Sequence, residues 1–205
     1  MPKLDLKKEL KNLYTAKADA PVLIKVPKMN YLAIDGKGDP NTSQEFKDAV
    51  ETLYPVAYKL KFTCKKELNK DYTVMPLEGL WWMEDMTKFT VNNKKDWLWT
   101  MLIMQPDFIT KEMYQKALIE VKSKKQLVAI NKIKFITLNE GSSAQILHIG
   151  PFSAEKPTIK KLHTFIKEKG HGFNDNKQKH HEIYLSDMRK TAPEKLKTIL
   201  RQPVV

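Results

Sequence analysis

The stretch that decides the fold is HHEIYLSD, His180 to Asp187. Its middle alternates in type, as a β-strand does, because successive side chains on a strand point to opposite faces. Ile183 and Leu185 share one face and suit a core, whereas Glu182 and Tyr184 share the other. Upstream, AQILHIGPF (144–152) reads as a strand and a turn. Between the two, Ile159, Leu162 and Ile166 recur at helical spacing, with Gly170 as the stop. The polar run HGFNDNKQK (171–179) then delivers the chain to the last strand. The series is strand, turn, helix, strand.

The first half repeats it. YLAIDGKGDPN (31–41) is a strand ending in a turn cluster. Phe46, Ala49, Val50, Leu53, Ala57 and Leu60 mark a helix. Thr42 and Glu45 have the spacing of a capping box to open it, and Pro55 is expected to kink or interrupt it. MPLEGLWWM (75–83) is the second strand, and DWLWTMLIM (96–104) a further one, joined to it by the lysine- and asparagine-rich residues 88–95. Between the halves, Met113, Ala117, Leu118 and Val121 form the apolar stripe of a helix from Thr110 to about Lys125. Thr191 and Glu194 offer another capping box, for a short last helix carrying Leu196, Ile199 and Leu200. In both halves the final strand carries a glutamate followed by aromatics, which sets Glu78 with Trp81 and Trp82 against Glu182 with Tyr184. Such a repeat implies two similar units packed about a pseudo-twofold axis, and the groove between them is a natural place for a ligand. We divide one domain, 1–205, into a lead-in (1–20), a first repeat (21–105), a connecting helix (106–130) and a second repeat with a C-terminal helix (131–205).

Composition narrows the class. Of the residues, 41% are hydrophobic and 29% charged, as in soluble globular proteins. No apolar run is long enough to cross a membrane, and MPKLDLKKELKNLY (1–14) lacks the apolar block of a signal peptide, so a cytoplasmic protein without membrane association is expected. Cys64 is the single cysteine, which excludes an internal disulfide and a cysteine-cluster metal site. The net charge of +12 invites a nucleic-acid reading. Against it, Arg189 and Arg201 are the only arginines, and the lysines are spread along the chain beside acids. Base readout leans on arginine's planar fork, so a lysine-rich solvated surface without specific nucleic-acid binding is the expectation. His180 and His181 are adjacent and point to opposite strand faces, while His148 and His163 lie on other elements. No metal is expected, and no cofactor. SSA and LSD lack the context of a nucleophile elbow, and GKGDP lacks the lysine that ends a phosphate loop.

Several blocks together resemble the GyrI-like small-molecule-binding family in its longer stand-alone form. They are MNYLAIDGKGDPN, LYPVAYKLK, VMPLEGLWW, WTMLIMQPDFIT, QILHIGPFSAEKPTIKKLH and HHEIYLSDMRKTAPEKLKTILRQPV, spanning about residues 20–205, with PLEGLWW and HHEIYLSD the most specific. The resemblance implies an α+β fold: two pseudo-twofold-related β-α-β-β units forming a curved antiparallel sheet with helices packed on one face. It also implies an acidic residue in an aromatic pocket that meets bulky, often cationic, drugs, as in multidrug-responsive regulators. Some stand-alone members of the family open the strained cyclopropane of DNA-alkylating compounds, and the fold is shared with haem-binding SOUL proteins. The regulators carry a helix-turn-helix domain, for which the residues before the first strand leave no room.

On this basis the candidate ligand-binding residues are Glu78, Trp82, Trp97, Trp99, Tyr58, Glu182 and Tyr184. Trp81 and Trp82 point to opposite faces, and alternation puts Trp82 with Glu78 and Leu80, leaving Trp81 for the core. Trp97 and Trp99 share one face of the next strand, and flat rings can stack on planar ligands or cations. Two functions stay open. One is binding of a bulky planar hydrophobic or cationic small molecule, for protection against drugs or toxins. The other is hydrolysis of strained electrophiles, with Glu182 as general base and Tyr184 donating to a carbonyl that gains negative charge. The plainer alternative for Glu182 and Tyr184 is a solvated pair on an exposed sheet face. The expected assembly is a monomer or a homodimer.

Overall fold

The computed structural model describes residues 3–85, 93–173 and 177–205. Residues 88–92 of the expected strand connection and 174–176 of the expected polar loop lie outside them. The first unit comprises strands β1 (Val22–Val26) and β2 (Met29–Lys37), helix α3 (Gln44–Glu67), and strands β3 (Leu77–Trp82) and β4 (Leu98–Gln105). Two short helices precede it, α1 (Leu6–Glu9) and α2 (Lys11–Tyr14). After helix α4 (Lys111–Lys124), the second unit comprises β5 (Lys134–Leu138), β6 (Gly141–Ile149), helix α5 (Lys156–Glu168), β7 (His180–Tyr184) and β8 (Lys197–Pro203).

The described strands form one antiparallel sheet in the order β1-β6-β8-β7-β3-β4-β2-β5. Reversing that order and exchanging the units returns the same order, which is the pseudo-twofold relation. Each unit holds one more strand than the β-α-β-β series expected. The extra strands β1 and β5 are exchanged: β1 pairs with β6 of the second unit, and β5 with β2 of the first. Neither was legible in the sequence, because an edge strand half open to water carries no clean apolar alternation. β1 exposes Val22 and Leu23 beside Lys25.

The long helices follow from their apolar faces. α3 runs unbroken through Pro55, contrary to an interruption there. Its buried stripe of Ala49, Leu53, Val56, Ala57 and Leu60 lies on both sides of the proline, and that packing outweighs the missing backbone bond. The N-cap of α3 is Ser43, whose side chain accepts from the Phe46 N–H, rather than Thr42. α5 closes its own cluster with Leu162 and Ile166 against Ile146 and Leu200. The short helix expected at Leu196–Leu200 is strand β8, preceded by a single 3-10 turn at Pro193–Lys195. β8 is buried on both faces and its buried positions include Thr198, Arg201 and Gln202, so no apolar alternation marks it as a strand.

Candidate functional site

The register of the two central strands sorts the expected site residues onto two faces. Gly79 stands opposite Glu182, Trp81 opposite His180, Glu78 opposite Ile183 and Leu80 opposite His181. Directly opposed residues share a face. Glu182, Tyr184, Gly79 and Trp81 therefore lie together, and Glu78, Leu80, Trp82, His181 and Ile183 lie on the other side. The pairing of Glu78 with Glu182 as related positions is thus corrected. A twofold axis through the sheet preserves its faces, and these two carboxylates are on opposite ones. Trp81 is buried in the core and Trp82 lies with Glu78 and Leu80, as expected, but it is Trp81 that shares the Glu182 face.

On that face a hydrogen-bonded chain converges on Glu182. The Trp81 Nε1–H donates to the Tyr184 hydroxyl at 3.1 Å, and Tyr184 donates to Glu182 Oε2 at 2.7 Å. His180 Nε2 lies 3.5 Å from Glu182 Oε1. Tyr184 is buried, and burial followed by the Glu182 charge holds its phenol well above the ordinary range, so it remains an O–H donor. Glu182 keeps 13% of its side chain accessible. Gly79 fits because it has no side chain. A Cβ there would stand 2.9 Å from Trp81 Nε1 and 3.0 Å from the Tyr184 hydroxyl oxygen, wedging the chain apart.

Aromatic rings surround this chain. Phe46, from the first turn of α3, stacks on Trp81 with centroids 6.1 Å apart. Trp97, just ahead of β4, meets Trp81 edge-on at 5.7 Å. Phe152, in the 3-10 turn Phe152–Ala154 before α5, meets Tyr184 edge-on at 5.6 Å. Glu155 follows that turn and is buried. Lys94, whose Nζ stands 5.5 Å from the Trp97 ring centre, supplies positive charge nearby. Both units thus contribute to one site at the centre of the sheet, beside the N-terminal ends of α3 and α5.

Three expected members stand elsewhere, and a fourth, Trp99, shares the Glu182 face opposite Trp81 but lies in the core. Trp99 is wholly buried under Phe46 and beside Gly36, where an added Cβ would fall 2.1 Å from its ring. Trp82 lies on the opposite face with Lys179 Nζ 3.3 Å above its ring. Tyr58 is exposed between Tyr54 and Phe62 on α3, in a groove of about 440 Å³ against α4. Glu78 is fully buried in an ionic network behind the sheet. Phe46, Phe152, His180 and Glu155 were not anticipated. Three of them sit on helix or turn segments whose approach to β7 is set by the fold, and only His180, two residues before Glu182, carried a signal in strand alternation.

The network around Glu78 is electrically balanced. Glu78 accepts from the Tyr14 hydroxyl at 2.8 Å, and its other oxygen lies 2.9 Å from His181 Nε2. His181 Nδ1 is 2.9 Å from Glu140, and Glu140 accepts from Arg201 at 3.1 Å. Desolvation acts against the charged imidazole, but Glu140 and Glu78 outweigh it and raise His181 to about 9. Burial likewise opposes the Glu140 charge, yet His181 and Arg201 bring it down to about 2. The His181 contribution to stability is complete below its ordinary value near ~6.5 and is lost as pH rises through about 9. That of Glu140 is present above its ordinary value and lost as pH falls through about 2. We expect the denaturant midpoint to fall on the alkaline side in the parent protein, and that dependence to flatten in His181→Gln. A parent midpoint that does not fall between about pH 7 and 10 would show that His181 is neutral in the folded state.

Among the described residues no helix is long and apolar enough to cross a membrane, and no group of three or more metal-ligating side chains is gathered. No curated protein matches the chain. Solved structures do. An uncharacterized conserved protein from Listeria innocua is 43% identical, with a TM-score of 0.90, over 99% of this chain and 100% of its own. Two proteins from Listeria innocua described as hydrolases are similar. One is 41% identical with a TM-score of 0.86 over 99% of this chain, the other 43% identical with a TM-score of 0.88 over 100% of it, and each is covered over 100% of its own length. The model of the GyrI-like small molecule binding domain matches residues 20–205, from the start of β1 to the C-terminus, and so takes in both units and every side chain placed around Glu182. With a twofold sheet and an acidic site ringed by aromatics already in view, that match assigns the chain to the GyrI-like small-molecule-binding domain family.

Proposed function

We propose that the protein binds bulky, planar, aromatic cations at Glu182. The observation that carries this reading is the placement of a mostly buried carboxylate at the centre of linked rings from both units: Phe46, Trp81, Trp97, Tyr184 and Phe152. A cation there meets an opposite charge poorly screened by water, and flat rings gain both buried area and cation–π attraction. Protection against a toxic drug by sequestration is the role that such binding would serve. The test is tryptophan fluorescence with a planar cationic dye. Binding is expected to quench it, and Trp97→Ala to weaken affinity by roughly two- to thirtyfold, the worth of about 0.5–2 kcal/mol of stacking and cation–π contact. Trp82→Ala, on the other face, should leave affinity unchanged. The reverse pattern would put the ligand behind the sheet.

Hydrolysis of strained electrophiles is the second reading. It is favoured by two proteins, 41% and 43% identical over nearly the whole chain, described as hydrolases. In that role Glu182 takes a proton from the attacking water, and Tyr184 donates toward the substrate oxygen that gains negative charge. Incubation with a cyclopropane-bearing alkylator, followed by mass spectrometry for a product one water heavier, distinguishes turnover from binding alone.

A further inference from the structure

We infer that Glu155 is a second acid of the Glu182 site, neutral when the site is empty, and that aromatic dications bind by displacing its proton. This rests on the reading of the Glu182 site as one for aromatic cations, and it adds the charge class of the ligand.

The geometry starts at the N-terminus of α5. Glu155 is its N-cap residue, yet its side chain makes no capping hydrogen bond. A carboxylate at that position would ordinarily be satisfied by the free N–H groups of the first turn and stabilised there as an anion. Instead Glu155 is 5% exposed, and its Oε1 is buried without a hydrogen-bond partner. The turn that carries it is anchored over the site. Its backbone N–H donates to the Phe152 carbonyl at 3.2 Å, and the Phe152 ring packs edge-on against Tyr184. The buried Glu155 carboxyl therefore lies within electrostatic reach of the Tyr184–Glu182 pair.

The charged and titratable groups facing it decide its state. On β7 these are Glu182, His180 and Tyr184, and ahead of β4 there is Lys94. Burial, and then the Glu182 anion, push Glu155 up to about 10, with Lys94 opposing. Two carboxylates close together in a low-dielectric site do not both ionise, so one proton is retained. The two carboxyls of the empty site then carry one negative charge between them. A monocation satisfies Glu182 and leaves Glu155 as the neutral acid. A second positive charge on the ligand reverses the balance. The Glu155 O–H bond breaks, the proton leaves to solvent, and the new carboxylate pairs with the second charge. The neutral acid costs little to keep and spares the empty site the repulsion of two buried anions.

The experiment uses two dyes that share one ring system: ethidium, a monocation, and propidium, which adds a quaternary ammonium. Titration calorimetry of the whole protein near pH 7, in buffers of different ionisation enthalpy, counts the protons exchanged. Propidium is expected to release about one proton more than ethidium, and its affinity to rise about tenfold per pH unit relative to that of ethidium. Glu155→Gln should abolish the extra release and narrow the propidium-to-ethidium affinity ratio. The proton count on the unmodified protein stands alone if that variant folds poorly. If both dyes bind with equal proton release, this inference fails while the cation site stands. If neither dye binds, the aromatic-cation reading fails and takes this one with it.

Discussion

Arg201→Met is expected to destabilise the protein by about 3–5 kcal/mol, the cost of removing one partner from a buried ionic network. Arg201 is fully buried and uses its fork on three elements. It donates to Glu140 at the β5–β6 turn at 3.1 Å, to Gln145 on β6 at 3.2 Å, and to the Leu13 carbonyl of α2 at 2.6 Å. Methionine fills much the same volume but abandons the Glu140 charge and frees the Leu13 carbonyl. Arg201→Lys keeps the charge and loses the planar fork, so it should fall between the parent and Arg201→Met. Replacing Glu140 and Arg201 together by apolar residues should recover part of the loss, because no unpaired ion remains between them. Denaturant unfolding followed by circular dichroism measures all three. An Arg201→Met midpoint equal to the parent's would mean that the network contributes nothing to folding.

Glu182→Gln separates binding from catalysis. The amide keeps the shape but removes the charge and the capacity to accept a proton. As a binding group, Glu182 should contribute about 1–3 kcal/mol to cationic ligands, so the variant loses roughly five- to hundredfold in their affinity. Neutral ligands of the same shape should be spared. As a general base, it should lose about 100-fold or more in turnover while neutral substrates still bind. Both outcomes require a carboxylate poorly screened by water, and its 13% side-chain accessibility places Glu182 in that regime. If cationic and neutral ligands bind Glu182→Gln as they bind the parent, and any turnover persists, the site lies elsewhere.

The two variants probe opposite faces of one short strand. On β7, His181 points to the ionic network and Glu182 to the aromatic site, one residue apart. The network ties α2 and the β5–β6 turn to the central strands and gives β7 a fixed support. The face beyond it also holds buried polar atoms without hydrogen-bond partners, His180 Nε2 and Glu155 Oε1.

The sequence alone determined the α+β class, the repeated strand–helix–strand series and the central strand with Glu182 and Tyr184. Those features are written in local periodicity, which a strand or helix packed on one core must show. Alternation also divided Trp81 from Trp82 correctly, since neighbours on a strand always part. Which of the two faces carries the Glu182 cluster was another matter. That depends on the register between β3 and β7, where a shift of one residue exchanges the faces, and no local pattern records a pairing 103 residues distant, as between Gly79 and Glu182. The same limit hid the exchanged strands β1 and β5 and made a helix of β8, whose burial on both faces erased its period. It also hid Arg201, one of two arginines in a lysine-rich chain, which is a buried ion only because α2, β6 and the β5–β6 turn close around it. Glu155 reads in sequence as an ordinary acid before a helix. Only the packing of its turn over Tyr184 brings it beside Glu182, and burial there, rather than residue type, sets its charge.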